Sequence, residues 1–420
     1  MKRGIPALLG AAAVIGLGHA SPALAQSESD LRDQVRELTD RLEKLEGRGH
    51  VNVAPGTTLT FGGYTKLDLI FDVDQGMGDT TNVLGLNPDA RDDGGFRAHA
   101  RQTRFNFKSE TQTERGPLIT FFEIDFFGTA NNQVLSNSNE PRLRHAYGQW
   151  NGWTAGQTWS TFMPIEVYPN TVDFQGPTGL PFIRQAQLRY TFNATPNLKI
   201  DLALENSEFS GRGMVSDGMG GFNVQNIGQS IPGTFSGFNS DFDSAPDLVA
   251  AATYKFGETI LKGAAVLRFL DAPSGLGGDD EIGWGINLAA GTPLWEGGRL
   301  VGSFTYGDGV GRYIIDGPGQ DGFIDQNGNL DTIEAFGFGG QITHQLTEKV
   351  NLGLAYGYYK VDDTFFATDT EELQTVHATL FWKPAKRVTV GAEVSWVERE
   401  LANGRSADAT RLQGSVQFSF

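Results

Sequence analysis

Thr410-Arg-Leu-Gln-Gly-Ser-Val-Gln-Phe-Ser-Phe420 alternates without a break. Leu412, Gly414, Val416, Phe418 and Phe420 share one face, and Arg411, Gln413, Ser415, Gln417 and Ser419 share the other. Successive side chains of a strand point to opposite faces. One side of this segment therefore suits hydrocarbon and the other suits water. The stretch reads as the closing strand of a transmembrane β-barrel, apolar outside and wet within.

The beginning of the chain fits export. Met1, Lys2 and Arg3 precede an apolar run over 7–17, and Ala23-Leu24-Ala25 offers a small-residue cleavage site. Residues 1–25 are expected to be a secretory signal peptide, too short to span a bilayer as a helix. No other run approaches the ~20 apolar residues of a spanning helix, so membrane crossing falls to strands. Cysteine is absent, which excludes a disulfide framework, a thiol nucleophile and a thiolate metal centre. A net charge of −17 argues against nucleic acid as a partner.

Residues 26–49 carry Leu31, Val35, Leu38, Leu42 and Leu45 at heptad spacing, with charged residues on the remaining faces. This predicts a periplasmic coiled-coil helix, since a lone helix of that length is marginal in water and gains from self-association. A linker over 50–56 follows. From 57 to 420 the pattern predicts an all-β, sixteen-stranded antiparallel barrel. Seven short turns alternate with eight longer connections, the expected asymmetry of periplasmic turns and extracellular loops. Aromatic residues gather near strand ends, Tyr190, Phe192, Tyr254, Phe256, Trp382 and Phe420 at the turn side, as interfacial girdles require.

A barrel of sixteen strands is too wide to fill with its own side chains, so its lumen is a water path. Strict alternation places Lys66, Arg104, Lys108, Arg142, Arg144, Arg189, Lys262, Arg268, Arg387 and Arg411 inside. The acids Asp68, Asp72, Glu123, Asp125, Asp201, Glu205 and Glu393 share that side. A basic lumen attracts anions. The loop 161–182 holds Pro164, Pro169, Pro177 and Pro181. That stiffness suits a loop folded into the barrel, with Glu166 and Asp173 set against the basic wall. The same parity turns His145, Gln149 and Gln157, and also Arg97, His99 and Arg101, outward. Polar side chains facing hydrocarbon are costly, so this patch is expected to face other copies in a homotrimer. A bulge that flips parity in the second strand is the competing explanation.

Catalysis finds no support, since no HExxH, GxSxG or Walker-type segment occurs. No cofactor is expected. The run Asp325 to Asp331 alternates oxygen ligands, but Leu330 and Phe336 stand where a calcium loop needs Gly and Glu, so no metal site is assigned.

The coiled-coil seam, Thr58-Leu-Thr-Phe-Gly-Gly-Tyr-Thr-Lys-Leu-Asp68, Arg142-Leu-Arg-His-Ala-Tyr-Gly-Gln-Trp150, Gly156-Gln-Thr-Trp-Ser-Thr-Phe162 and Asp173-Phe-Gln-Gly-Pro177 resemble the DcaP-like outer-membrane porins. The resemblance is strongest across 27–180. It implies a trimeric sixteen-stranded channel set in outer-membrane lipid and lipopolysaccharide, with a periplasmic coiled coil. It also implies uptake of small anions such as aromatic dicarboxylates. A non-selective general porin and a structural anchor tethering the envelope through the coiled coil are the alternatives.

Overall fold

A computed structural model describes residues 49–420 except 55, 91–92, 129–130, 133–135, 217–220, 228–242, 273–275, 277 and 318–320. The expected signal peptide and the heptad seam Leu31 to Leu45 lie outside the described residues. Gly49–Ala54 forms a short strand that begins at the last residue of the span read as helix and runs into the span read as a linker.

Among the described residues sixteen strands close into a barrel. They are β1 (Thr57–Asp72), β2 (two segments, Gly95–His99 and Arg104–Thr113), β3 (Gly116–Asp125), β4 (Arg142–Trp150), β5 (Trp153–Trp159), β6 (Arg184–Thr195), β7 (Leu198–Glu205) and β8 (Asp247–Phe256). The second half is β9 (Thr259–Asp271), β10 (Asp280–Trp295), β11 (Gly298–Asp308), β12 (Glu334–Thr347), β13 (Val350–Val361), β14 (Thr370–Ala385), β15 (Val388–Leu401) and β16 (Ser406–Ser419). Each pairs antiparallel with its neighbour in sequence, and β16 returns to β1 with Val416 opposite Leu67. Closure leaves no sheet edge to be satisfied in lipid.

The hairpins at one end are tight: each of the seven turns has two residues between its strands. Asn151 and Gly152 both have positive φ (50° and 86°), as the type I′ hairpin turn requires. Alternation holds along most of the wall. On β1, Leu67, Leu69 and Phe71 are exposed on the outer face, while Lys66, Asp68 and Asp72 are buried inside. Tyr190, Phe192, Tyr254, Phe256 and Trp382 are exposed near the turn end. Trp150, Trp153 and Trp295 join this belt, although the sequence pattern did not single them out.

Two irregularities reset the parity. Asp68 pairs with His99 and Tyr64 with Arg104, so 65–67 of β1 face 100–103 of β2, one residue more. Arg97 and His99 thereby take the inner side, opposite Ile70 and Asp68. On β4, Glu123 pairs with His145 but Ile124 pairs with Leu143, leaving Arg144 as the extra residue. A bulge of this kind lets two successive side chains serve one face. Arg142, Arg144 and His145 all end up inside. His145 and Gln149 are thus corrected from the outer wall to the inner one. His145 is buried and bonds Thr158 Oγ1 at 3.1 Å, and Gln149 donates to the buried Thr154 Oγ1 at 3.2 Å. Gln157 stays on the outer side, paired with Ala146 and Ala186.

Candidate functional site

The segment between β5 and β6 leaves the wall and crosses the lumen. The Thr161 N–H donates to Glu205 at 2.7 Å, and Lys262 Nζ donates to the Met163 carbonyl at 2.7 Å. Farther along, Asn170 exchanges two 2.8 Å hydrogen bonds with the Gln341 amide of β12. The Val172 N–H donates to Glu393 of β15 at 2.7 Å, and Lys66 Nζ reaches back to the Val172 carbonyl at 3.0 Å. The Thr178 N–H donates to Thr375 of β14 at 3.1 Å. The return is zipped to the connection between β11 and β12: Phe182 N–H bonds the Tyr313 carbonyl at 3.0 Å and Ile315 N–H bonds the Leu180 carbonyl at 2.8 Å.

Glycines on the wall make room for this path. A Cβ on Gly179 would lie 1.9 Å from the Tyr358 carbonyl oxygen, and one on Gly337 would lie 2.1 Å from the Gly179 carbonyl oxygen. The run Gly337-Phe-Gly-Gly340 was therefore a signal for loop contact, carried by close approach of two backbones.

The loop's two acids meet basic residues of the wall, Glu166 the lysines of β7 and β9 and Asp173 the arginine of β16. Glu166 pairs with Lys199 at 3.3 Å and Lys262 at 3.6 Å. Asp173 is buried and accepts from the N–H groups of Thr81, Gln175 and Gly176 at 3.0, 2.8 and 3.1 Å, with Arg411 at 3.7 Å. Each carboxylate is enclosed by its own partners because a buried charge without them is expensive.

The ten basic residues read as lumen-facing divide by role. Arg268 is fully buried between Asp247 (3.3 Å) and Asp321 (3.0 Å), tying β8 and β9 to the β11–β12 connection. Arg411 is equally buried against Asp72 at 2.7 Å. Lys262 is taken up by the loop, and Arg189 lies on the inner side of β6 opposite Thr154. Lys108 pairs with Glu110 at 2.9 Å toward the turn end. Arg387 is corrected: it sits in the two-residue turn after β14 with φ 67°, outside the wall strands. Lys66, Arg104, Arg142 and Arg144 gather around the loop.

These last four, with His145, Glu123, Tyr64 and Trp159, face the loop side chains Met163, Ile165, Tyr168, Pro169, Phe174 and Phe182. All but Arg142 line a cavity of about 440 Å³. Arg142 bonds Asp125 at 3.0 and 2.7 Å, and Arg144 bonds Glu123 at 2.8 Å and Asp125 at 3.0 Å. Arg104 is less compensated. Its ion pair to Glu123 is long, 3.9 Å, and its Nε has no partner among the described residues. The Phe174 ring lies 5.7, 5.5 and 5.4 Å from the guanidinium carbons of Arg104, Arg142 and Arg144. It stacks on Phe127 with centroids 4.8 Å apart. Aromatic faces attract guanidinium groups at this range. The constriction thus has a basic wall and an aromatic loop face.

Beyond the constriction, Asp79 holds both Arg97 and Arg101. Burial acts to raise the Asp79 carboxyl, and the two arginine hydrogen bonds outweigh it and keep it below the usual carboxylate range. Asp325 accepts from the Asn327 and Asn329 backbones at 2.7 and 2.9 Å, an internally satisfied turn.

A closed sixteen-stranded barrel with apolar outer face, inward loop and charged lumen defines an outer-membrane porin, a channel and not an enzyme. The chain belongs to the Porin_2 family, described as a porin subfamily, whose model matches residues 54–415. Among solved structures it is similar to the outer membrane channel DcaP of Acinetobacter baumannii. That likeness has TM-score 0.74 and 21% identity, covering 88% of this chain and 99% of that one. The anion-selective porin from Comamonas acidovorans matches with TM-score 0.55 and 11% identity over 87% of this chain and 100% of its own. OmpT of Vibrio cholerae, in its trimer form, matches with TM-score 0.53 and 12% identity over 87% and 100%. No curated protein matches the chain.

Proposed function

We propose that this porin is a diffusion channel preferring small anions that carry a flat carbon face, aromatic dicarboxylates among them. One observation carries the reading: guanidinium groups line one side of the constriction while the loop offers rings, its two acids being paired, Glu166 with Lys199 and Lys262 and the cavity-lining Asp173 with backbone N–H groups and Arg411. A general eyelet sets acids against bases and so aligns dipolar solutes. Here the loop's acids are each engaged by their own partners, and the field of the arginine wall favours anions. The name of one similar structure, the anion-selective porin from Comamonas acidovorans, agrees with this choice. The test is the reversal potential of reconstituted protein in a salt gradient. An anion-preferring sign is expected, and a cation-preferring sign refutes the reading. A channel silent in bilayers would favour the envelope-tether alternative.

The assembly we propose is a homotrimer. The outer face of β2–β6 carries a central strip of Ser109, Thr120, Ala146, Gly148, Ala155, Gln157 and Ala186 among apolar side chains such as Phe107, Leu143 and Leu188, whereas β7–β10 present Leu202, Leu204, Leu248, Leu261, Ile286 and Leu288. Close backbone approach between copies suits such a face, as it does between membrane helices. Outer-membrane lipid and lipopolysaccharide would cover the rest, and the heptad seam Leu31–Leu45 would bundle in the periplasm. Crosslinking that yields monomers alone refutes the trimer.

A further inference from the structure

We propose that Phe174 is the residue by which the constriction distinguishes aromatic from saturated anions, an inference that rests on the anion-channel reading above. Two rings, Tyr64 and Phe174, lie within 5.4 and 5.7 Å of the Arg104 guanidinium carbon. Arg104 is also the cavity guanidinium whose Nε has no partner among the described residues and whose carboxylate contact is stretched to 3.9 Å. Among the cations that line the cavity its side chain is also the most exposed, 21% against 2% for Arg144 and 6% for Lys66, so its terminal nitrogens are the group best placed to receive a solute carboxylate. A carboxylate in the guanidinium plane sets the body of the solute beside those rings. Phe174 is half-buried and lines the cavity, so part of its ring remains open to a passing solute.

Phe174 is held in place by its neighbours. Phe127 stacks on it at 4.8 Å, Phe182 meets it edge-on at 6.2 Å, and Arg142 and Arg144 hold it at 5.5 and 5.4 Å. The preceding Asp173 is locked by three backbone N–H groups. A ring held in this way is a rigid platform. Stacking on it costs no further ordering, and a flat aromatic solute gains more than a puckered one. Charge alone cannot make that distinction, because a carboxylate is the same on either carbon frame.

The probes are benzoate and cyclohexanecarboxylate, equal in charge and near in size. Their permeability ratio is read from bi-ionic reversal potentials of the full chain in planar bilayers. Wild-type protein should favour benzoate. Phe174→Leu should lower the ratio about 2- to 10-fold, the range of one aromatic pair, and Phe174→Trp should retain it. A wild-type ratio of one overturns the proposal even if no variant folds. An unchanged ratio in Phe174→Leu also overturns it. The chloride-to-potassium reversal potential separates the two readings. A cation-preferring wild type removes the anion channel itself, whereas an anion-preferring channel indifferent to Phe174 removes only this residue's role.

Discussion

Replacing Gly179 by alanine should unseat the constriction loop while sparing the barrel. The new Cβ would stand 1.9 Å from the Tyr358 carbonyl oxygen, where ordinary contact begins at 3.4 Å. The loop must move by about 1.5 Å, or β13 must yield by as much. β13 is hydrogen-bonded to β12 and β14 along its length, so the loop gives way. Gly179 also has φ +78°, which costs an alanine roughly 1–2 kcal/mol. Three hydrogen bonds hold the nearby chain, from Thr178, Phe182 and Ile315, together worth about 3 kcal/mol. Strain and restraint are therefore of similar size, and the loop should divide its time between seated and displaced positions. Single-channel recording should show larger openings with frequent steps between two levels. The heat-modifiable mobility of the folded barrel should stay as in wild type. A quiet channel of wild-type conductance would refute the reasoning, because it would mean that the loop does not occupy the lumen at Tyr358.

Further outcomes follow from other contacts. Burial, with the nearby Asp173 charge, pushes the Asp316 carboxyl up to about 7. It accepts from the Gln175 amide of the loop. Its folded value is raised, so the stability it lends is complete in acid. That stability declines as pH climbs from the ordinary carboxylate range and is gone above about 7. Channel noise should grow between pH 6 and pH 8, and Asp316→Asn should flatten that dependence. Glu393→Ala would leave Val172 N–H and His377 without their acceptor. At about 1–3 kcal/mol for each buried group left unpaired, it should lower the temperature at which the folded band is lost. Leu267→Arg on the outer wall should cost about 2–4 kcal/mol if that position lies near the bilayer midplane, measured by urea unfolding in lipid. Cysteine at Gln157 should crosslink copies in membranes, whereas cysteine at His145 should not.

Much of the barrel was legible because its signals are local. The bounds of β4, β8 and β13 follow from alternation and from turn residues such as Asn151-Gly152. Side-chain direction failed where the count of residues across two strands differs. Nothing in Arg142-Leu-Arg-His145 announces a bulge, since the extra residue is defined only by its partner strand. Period two carried through it reversed His145 and Gln149. The loop's inward course was readable from its prolines and its acids' encounter with basic wall residues from their charge, but the particular partners of Glu166 and Asp173 were not. Lys199, Lys262 and Arg411 lie 33, 96 and 238 positions away from the acids they bind, and no local pattern encodes such partners. The loop's rings Phe162, Tyr168 and Phe174 are plain in the sequence, Phe174 inside the motif 173–177, but charge drew the reading of the constriction toward arginine and left them without a role.

The sequestered carboxylates of the loop have a consequence for behaviour in concentrated brine. With Glu166 and Asp173 already engaged by their partners, the charge a passing solute meets is mainly that of the arginines, and counterions can cloak it. The Debye length shrinks from about 10 Å at 0.1 M to about 3 Å at 1 M, so discrimination by charge should fade steeply. Discrimination by flatness, which owes nothing to long-range fields, should persist. A cell in variable salinity would then keep a sieve for shape after losing one for sign.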